Sequence, residues 1–407
     1  MKHVYTSVDI GSDTIKIVTC ELSRNKLNLL ASTSIKSNGI TKGVITNLEA
    51  ASESLKKGII EIEQILGFKI KRVITTVPSY FANFNLLEEE IEIENIITGE
   101  DITKIIQNAV RNNLKPGKEM ITALPIEFIL DKNKIVKDPK NMEATKLGMK
   151  AILIDAPKKN IYSVVKLFDG LGIETVDISI NSIGDYYAYK KPDMDKQVGV
   201  IINIGSQTTT VSLHNKGIVV KNTIVQIGDS NIDKGISYIF KTNDETTKKL
   251  KEKFALAHKK IANQHDYFEL TNSKVNQFEV SEIVYEGLLE ILNLAKKEIS
   301  VLTSNHIDYV ILTGGITNLN CFNYTADEVF NKKQTLGNIN IVGLRNNKYS
   351  SSIGNIIYFI SKLKLNGRNY SMISNKDMED LSSNKKGFIN GTSDSMIGKV
   401  FDYFFDE

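Results

Sequence analysis

Apolar residues fall into two rhythms along this chain. Residues 4–10, 16–21, 27–36 and 73–77 carry the alternating or near-continuous apolar runs of strands. Over 48–67 the spacing is helical, with Leu55, Ile59, Ile62 and Leu66 on one side and Gly67 as the stop. The alternation of the two predicts an α/β architecture. The texture changes after Pro78-Ser79. Residues 82–160 hold Pro116, Pro125, Pro139 and Pro157, four of the six prolines, around a helix over 99–113 and strands at 86–93, 119–130 and 147–154. A structureless loop of that size is uncommon, so this segment predicts a small inserted α+β domain. A second, mostly helical insertion is expected over 236–305, with a charged helix at 245–261 and an amphipathic one at 281–302. A buried strand at 309–312 then runs into Thr313-Gly314-Gly315. After residue 365 the chain turns to Asn, Ser, Lys and Gly without periodicity, which predicts a linker over 366–393.

One pattern occurs twice. Val8-Asp9-Ile10-Gly11-Ser12-Asp13-Thr14-Ile15-Lys16 reads as strand, glycine turn, strand, and Gly199–Ile204, Gly205-Ser206-Gln207-Thr208-Thr209 and Val211-Ser212-Leu213 repeat it about two hundred residues later. Two such hairpins predict a duplicated core with a cleft between its halves. A glycine turn after a strand lets backbone N–H groups approach an anion. Gly11 and Ser12 are then candidates for phosphate oxygens, Thr14 for supporting the turn, and Lys16 for the charge. Asp9 is placed to orient water on a magnesium ion, which favours carboxylate and water. Asn203, Gly205, Ser206, Thr208 and Thr209 would hold the phosphates from the other side, and Gly314 and Gly315 would allow close approach of an α-phosphate or adenosine. Three turns in this order predict a nucleotide cleft.

Composition narrows the class. With 407 residues, 41% hydrophobic and 24% charged, the chain suits a multi-domain globular protein. Its +3 formal charge argues against nucleic-acid binding by general phosphate attraction. Two cysteines, Cys20 and Cys321, do not make a disulfide framework and fit a reducing compartment. The five histidines show no metal-ligand spacing, which argues against a structural zinc. The opening reads as a strand and not an export signal, and no stretch approaches the ~18 apolar residues of a membrane span. A cytoplasmic protein with at most peripheral membrane contact is expected.

The three turns with two insertions resemble the actin/Hsp70/sugar-kinase ATPase superfamily and, more narrowly, the FtsA family of bacterial division proteins. The residues that carry the narrower resemblance are Ser37-Asn38-Gly39-Ile40-Thr41-Lys42-Gly43-Val44, Ile97-Thr98-Gly99-Glu100-Asp101-Ile102, Leu124-Pro125-Ile126-Glu127-Phe128, Asp131, Asp138-Pro139 with Met142, Lys159-Asn160-Ile161 and Gly172-Ile173. The resemblance implies an actin-like duplicated two-lobe fold. In it, 1–81 and 161–195 form the first lobe (1A) and 82–160 an inserted, SHS2-like subdomain (1C). Residues 196–235 and 306–365 form the second lobe core (2A), 236–305 the helical insertion (2B), and 394–407 a terminal amphipathic helix. It implies binding of ATP with Mg2+, filaments of the protein itself, docking of the FtsZ C-terminal peptide on the helical insertion, recruitment of other division proteins, and a place at the cytoplasmic face of the plasma membrane at the division site.

The chain departs from this family in its second turn, where D-I-G-G-G-T-T-D is usual. Asn203-Ile204-Gly205-Ser206-Gln207-Thr208-Thr209-Thr210 lacks both acids. The ribose element A-E-x-x-K falls at Thr247-Lys248-Lys249-Leu250-Lys251, with lysine for the acid and Lys251 retained. Asparagine is no useful base near neutral pH, so nucleotide binding that is weak or metal-poor, with little hydrolysis, is expected. At the end of the chain Met396, Ile397, Val400, Phe401, Phe404 and Phe405 form one apolar stripe on a helix, suited to burial among lipid headgroups. The acids Asp394, Asp402, Asp406 and Glu407 around it favour instead a helix docked on protein. A linker over 366–393 spans about 30 Å as a coil. The stripe separates this reading from a pilus-assembly scaffold of the same fold, which has no such tail. The missing acids argue against a sugar or acetate kinase, and the short remainder after the second lobe argues against an Hsp70-type chaperone.

Overall fold

The computed structural model describes residues 2–270, 273–365 and 370–373. Two five-stranded sheets form the body, and they repeat one topology. In the first, the strands His3–Ile10, Thr14–Ser23 and Lys26–Lys36 make an antiparallel meander, and Arg72–Val77 and Glu174–Ile180 add in parallel beside His3–Ile10. In the second, Val198–Ile204, Thr209–Asn215 and Ile218–Val225 make the meander, and Tyr309–Thr313 and Gln334–Leu336 add in parallel beside Val198–Ile204. The central strands are buried on both faces, which is why they read as apolar runs and not as alternations.

The helix Leu48–Leu66 covers the first sheet. Asn47 caps it by accepting from the Ala50 N–H at 3.1 Å, and Leu55, Ile59, Ile62 and Leu66 turn inward. Each such side chain contributes roughly 2 kcal/mol of burial. The segment read as an inserted domain is a four-stranded antiparallel sheet, in the order Asn83–Glu92, Lys146–Pro157, Lys118–Leu130, Lys134–Val136. The helix Gly99–Asn113 lies on it, started by a capping box between Thr98 and Asp101 and seated by Ile102, Ile105 and Ala109.

Two helices close the body between the lobes, Asn181–Tyr189 and Ser350–Leu365. They cross with their backbones in contact. A Cβ added to Gly354 would stand 1.6 Å from the Gly184 carbonyl oxygen, and one added to Gly184 would stand 2.4 Å from the Ser351 carbonyl oxygen. Tyr186 on the first of these helices stacks on His214 of the second sheet, ring centroids 4.9 Å apart. Burial holds the His214 pKa down to about 3, so this imidazole is neutral.

Two expectations need correction. The helix expected over 245–261 ends early: Asp244–Lys249 is helical, Leu250–Phe254 widens into a π-type turn, and Ala255 is extended. The cause is Lys251, whose ammonium sits between Asp229 and Asp233 of the helix Asp229–Phe240. Beyond it, Ala257 donates its N–H to Asn320. The segment expected to be linker from 366 onward has residues 370–373 laid against the first lobe. The Met372 N–H donates to the Val4 carbonyl at 3.0 Å, Tyr5 donates its hydroxyl to the Tyr370 carbonyl, and Met372 is buried. The rest of 366–393, and the stripe of Met396, Ile397, Val400, Phe401, Phe404 and Phe405, lie outside the described residues.

Candidate functional site

The turns at the tips of the two central hairpins face each other across a cleft of about 590 Å³. Each closes the same way, by an N–H bond from its glycine: Gly11 to the Thr14 carbonyl at 3.2 Å, and Gly205 to the Thr208 carbonyl at 3.0 Å. A Cβ at either position would press on that carbonyl, at 2.7 and 2.9 Å. The third turn follows the strand Tyr309–Thr313. Gly314 has φ +105°, a left-handed conformation that favours glycine, and a Cβ there would lie 2.2 Å from the Ile204 carbonyl oxygen. The cleft is lined by Asp9, Gly11, Ser12, Thr14 and Lys16 from the first lobe and by Asn203, Gly205, Ser206, Thr208, Lys251, Gly314 and Gly315 from the second.

Thr209 is the exception among the sequence candidates. It is fully buried and donates its hydroxyl to the Ile227 carbonyl at 3.0 Å. As the first residue of its strand it points opposite to its neighbours, so Thr208 and Thr210 face the cleft and Thr209 does not. Lys251 reaches the wall of the cleft, but its ammonium is held 2.6 Å from Asp229 and 2.7 Å from Asp233. Burial works against its charge, and the two carboxylates overcome that and leave its pKa above the usual lysine value.

The two hairpins carry different chemistry behind their turns. Asp9 is buried, and both oxygens are engaged: Oδ1 accepts from Thr76 Oγ1 at 2.9 Å and Asn181 Nδ2 at 2.7 Å, and Oδ2 lies 3.2 Å from Lys16 Nζ. Asn203, its counterpart, donates Nδ2 to Asp185 Oδ2 at 2.6 Å. Asp185 comes from the helix Asn181–Tyr189, is buried, and also accepts from Ser350 at 2.6 Å and Ser351 at 2.9 Å. Burial pushes its pKa up to about 6, against the pull of these three donors.

Sequence reasoning missed several cleft groups. Lys248 spans the cleft to Asp13, 2.9 and 3.1 Å from its two oxygens. Burial opposes the Lys248 charge, but the contact with Asp13 raises its pKa. Lys42 crosses as well, its N–H donating to Gln207 and its ammonium to Gln226, each at 2.7 Å. Lys42 and Gly43 were legible only as part of the family resemblance. Nothing in spacing marks Asp185, Gln207 or Lys348.

A polyphosphate fits this cleft: three glycine turns admit it and lysines from both lobes face it. A divalent metal held directly by protein carboxylates does not fit. Among the described residues the cleft's aspartates are already engaged, Asp9 by Lys16, Thr76 and Asn181, Asp13 by Lys248 and Asp229 by Lys251, and the second turn has an amide in the place of Asp9. Among the described residues no three His, Cys, Asp or Glu side chains cluster to hold a metal ion. Among them also, no helix is long and apolar enough to cross a membrane.

The duplicated sheets, the paired turns and the helices crossing between the lobes define an actin-like protein. Solved structures share this fold: the PilM-PilN type IV pilus biogenesis complex (TM-score 0.59, 12% identity, 87% of this chain and 98% of that chain) and MreB5 of Spiroplasma citri bound to AMPPNP (TM-score 0.52, 12% identity, 90% and 99%). At that identity they show the fold alone. The family model for cell division protein FtsA matches residues 200–354, and that for the SHS2 domain inserted in FtsA matches residues 86–155. Cell division protein FtsA of Bacillus subtilis (strain 168) is 24% identical over 377 residues, covering 90% of this chain and 86% of that protein. This chain belongs to the FtsA family of cell-division proteins.

Proposed function

We propose that the chain binds ATP between its lobes, assembles into filaments with copies of itself, and holds the FtsZ ring at the cytoplasmic face of the membrane. In this reading the helical insertion takes the FtsZ C-terminal peptide and residues 396–405 enter the lipid surface. The body also gathers further division proteins at the division site. The observation that carries the reading is the convergence of three glycine turns on one cleft in a chain with the SHS2-type insertion. MreB5 of Spiroplasma citri, which shares the fold, holds AMPPNP. Cleft residues Gly11, Ser12, Thr14, Lys16, Gly205, Ser206, Thr208, Gly314 and Gly315 then surround the nucleotide. With Asn203 and Thr210 in place of acids, hydrolysis is slow or absent. A single terminal segment binds lipid weakly, so filament formation supplies the avidity.

The test is sedimentation with anionic liposomes. FtsZ should pellet only when the full-length chain is present, and deletion of residues 394–407 should leave both proteins in the supernatant. Liposome binding unchanged by that deletion, or FtsZ pelleting indifferent to this chain, overturns the tether.

A further inference from the structure

The short helix Asn347–Tyr349 brings one more lysine to the cleft. The Lys348 Cβ lies 3.7 Å from where a Cβ on Gly315 would stand, so the side chain starts beside the third glycine turn. It is half-buried and lines the cavity together with Lys16. Its partner among the described residues is the ring of Tyr349, 5.0 Å away. The other cleft lysines are matched: Lys16 by Asp9, Lys42 by Gln226, Lys248 by Asp13, and Lys251 by Asp229 and Asp233. Lys348 has no carboxylate within ion-pair distance among those residues. Burial, and then repulsion from Lys16, hold its pKa below the usual lysine value, with Glu252 countering only in part. Two ammonium groups, one from each lobe, thus share a partly desolvated space, and an anion placed between them relieves both the desolvation and the repulsion.

The metal side points the same way. In a cleft of this kind a divalent cation commonly shares the phosphate charge with the protein. Here Asp9 is engaged on both oxygens and Asn203 is turned toward Asp185.

We infer that Lys348 and Lys16 clamp the phosphates of the bound nucleotide directly from opposite lobes, supplying the positive charge that a divalent metal would otherwise bring, so that the triphosphate binds without metal. The inference rests on the nucleotide reading above and assigns Lys348 a binding role toward the polyphosphate.

The experiment is calorimetric or fluorescence titration of the full chain with ATP, in Mg2+ and in EDTA, for the wild type, Lys348→Ala and Lys348→Arg. The wild-type Kd should differ by less than about three-fold between the two buffers. Lys348→Ala should weaken binding about ten-fold in EDTA and less in Mg2+, while Lys348→Arg stays near wild type, since arginine keeps the charge. Without nucleotide neither variant should melt below wild type, because Lys348 makes no ion pair among the described residues that the fold needs and its loss relieves the repulsion from Lys16. Wild-type binding that disappears in EDTA, or Lys348→Ala binding like wild type in both buffers, overturns the clamp and leaves the nucleotide reading standing. No ATP binding in either buffer overturns the nucleotide reading itself.

Discussion

The first lobe keeps an acid on its own central strand, Asp9, and matches it within the same hairpin by Lys16. The second lobe has an amide at the corresponding place, Asn203, and borrows its acid from across the axis: Asp185, on a helix beside the first sheet, reaches the second hairpin and the Ser350–Ser351 helix start. Lysines differ in the same sense. Lys16 stays at the cleft on one carboxylate, and Lys251 is buried between two. Equal topology therefore does not mean equal electrostatics. The first hairpin is self-contained, while the second is completed by its neighbours, so changes in the second should propagate further.

The largest effect is expected at Lys251. Replacement by methionine keeps the stem but leaves Asp229 and Asp233 facing each other with no cation, and a buried partner lost in this way costs about 4 kcal/mol. Urea denaturation at neutral pH measures it. A loss under about 1 kcal/mol would mean that the triad is solvated. Next comes Asn203→Asp, which makes the second hairpin read like the first. It sets a second carboxylate against that of Asp185, across a contact of 2.6 Å, and should destabilise by about 3 kcal/mol at pH 7. The double variant Asn203→Asp with Asp185→Asn exchanges acid and amide and should return to near wild-type stability, above the sum of the two single effects. A double variant no more stable than that sum would sink the idea that the acid has merely changed address.

Asp185→Asn alone should stabilise, by roughly 2 kcal/mol at pH 7. The Asp185 carboxyl has its pKa raised from 3.8 to about 6, so in that window the folded state holds a proton that the unfolded state has released. Stability from this group is then greatest at low pH and falls as pH rises through the window. The melting temperature of the variant should match wild type near pH 4 and exceed it increasingly up to pH 6 and above; a constant difference would exclude the assignment. The smallest effect belongs to Lys248→Ala. Its pair with Asp13 is more than a third exposed on both sides, and such a pair contributes less than about 1 kcal/mol. Thermal melts in low and high salt should differ little from wild type.

Much of the duplicated core was legible because the same hairpin is written twice, and an apolar run before a glycine turn has few alternatives. The inserted domain was legible through its prolines and the capping signal at Thr98. Thr209 is an instance where the periodicity of a strand was there to be used: period two separates it from Thr208 and Thr210. The early end of the helix after Lys249 was hidden, since it depends on Lys251 finding two acids on the helix Asp229–Phe240. Asp185 and Lys348 were hidden for a similar reason. They lie 18 residues before Asn203 and on a strap near the end of the second lobe, and only the packing of the two axial helices brings them to the turns.

The Gly184–Gly354 contact also sets a lever. Gly354 lies four residues from the start of Ser350–Leu365 and eleven from its end. At 1.5 Å rise per residue the two arms are about 6 and 16 Å long. The short arm begins beside the Asn347–Tyr349 strap, and the long arm carries Tyr358, bonded to Thr122 of the inserted sheet, and Lys362, paired with Asp177. A tilt about the glycine fulcrum that moves the nucleotide end by a small step would swing the far end by nearly three times as much, against the base of the insertion.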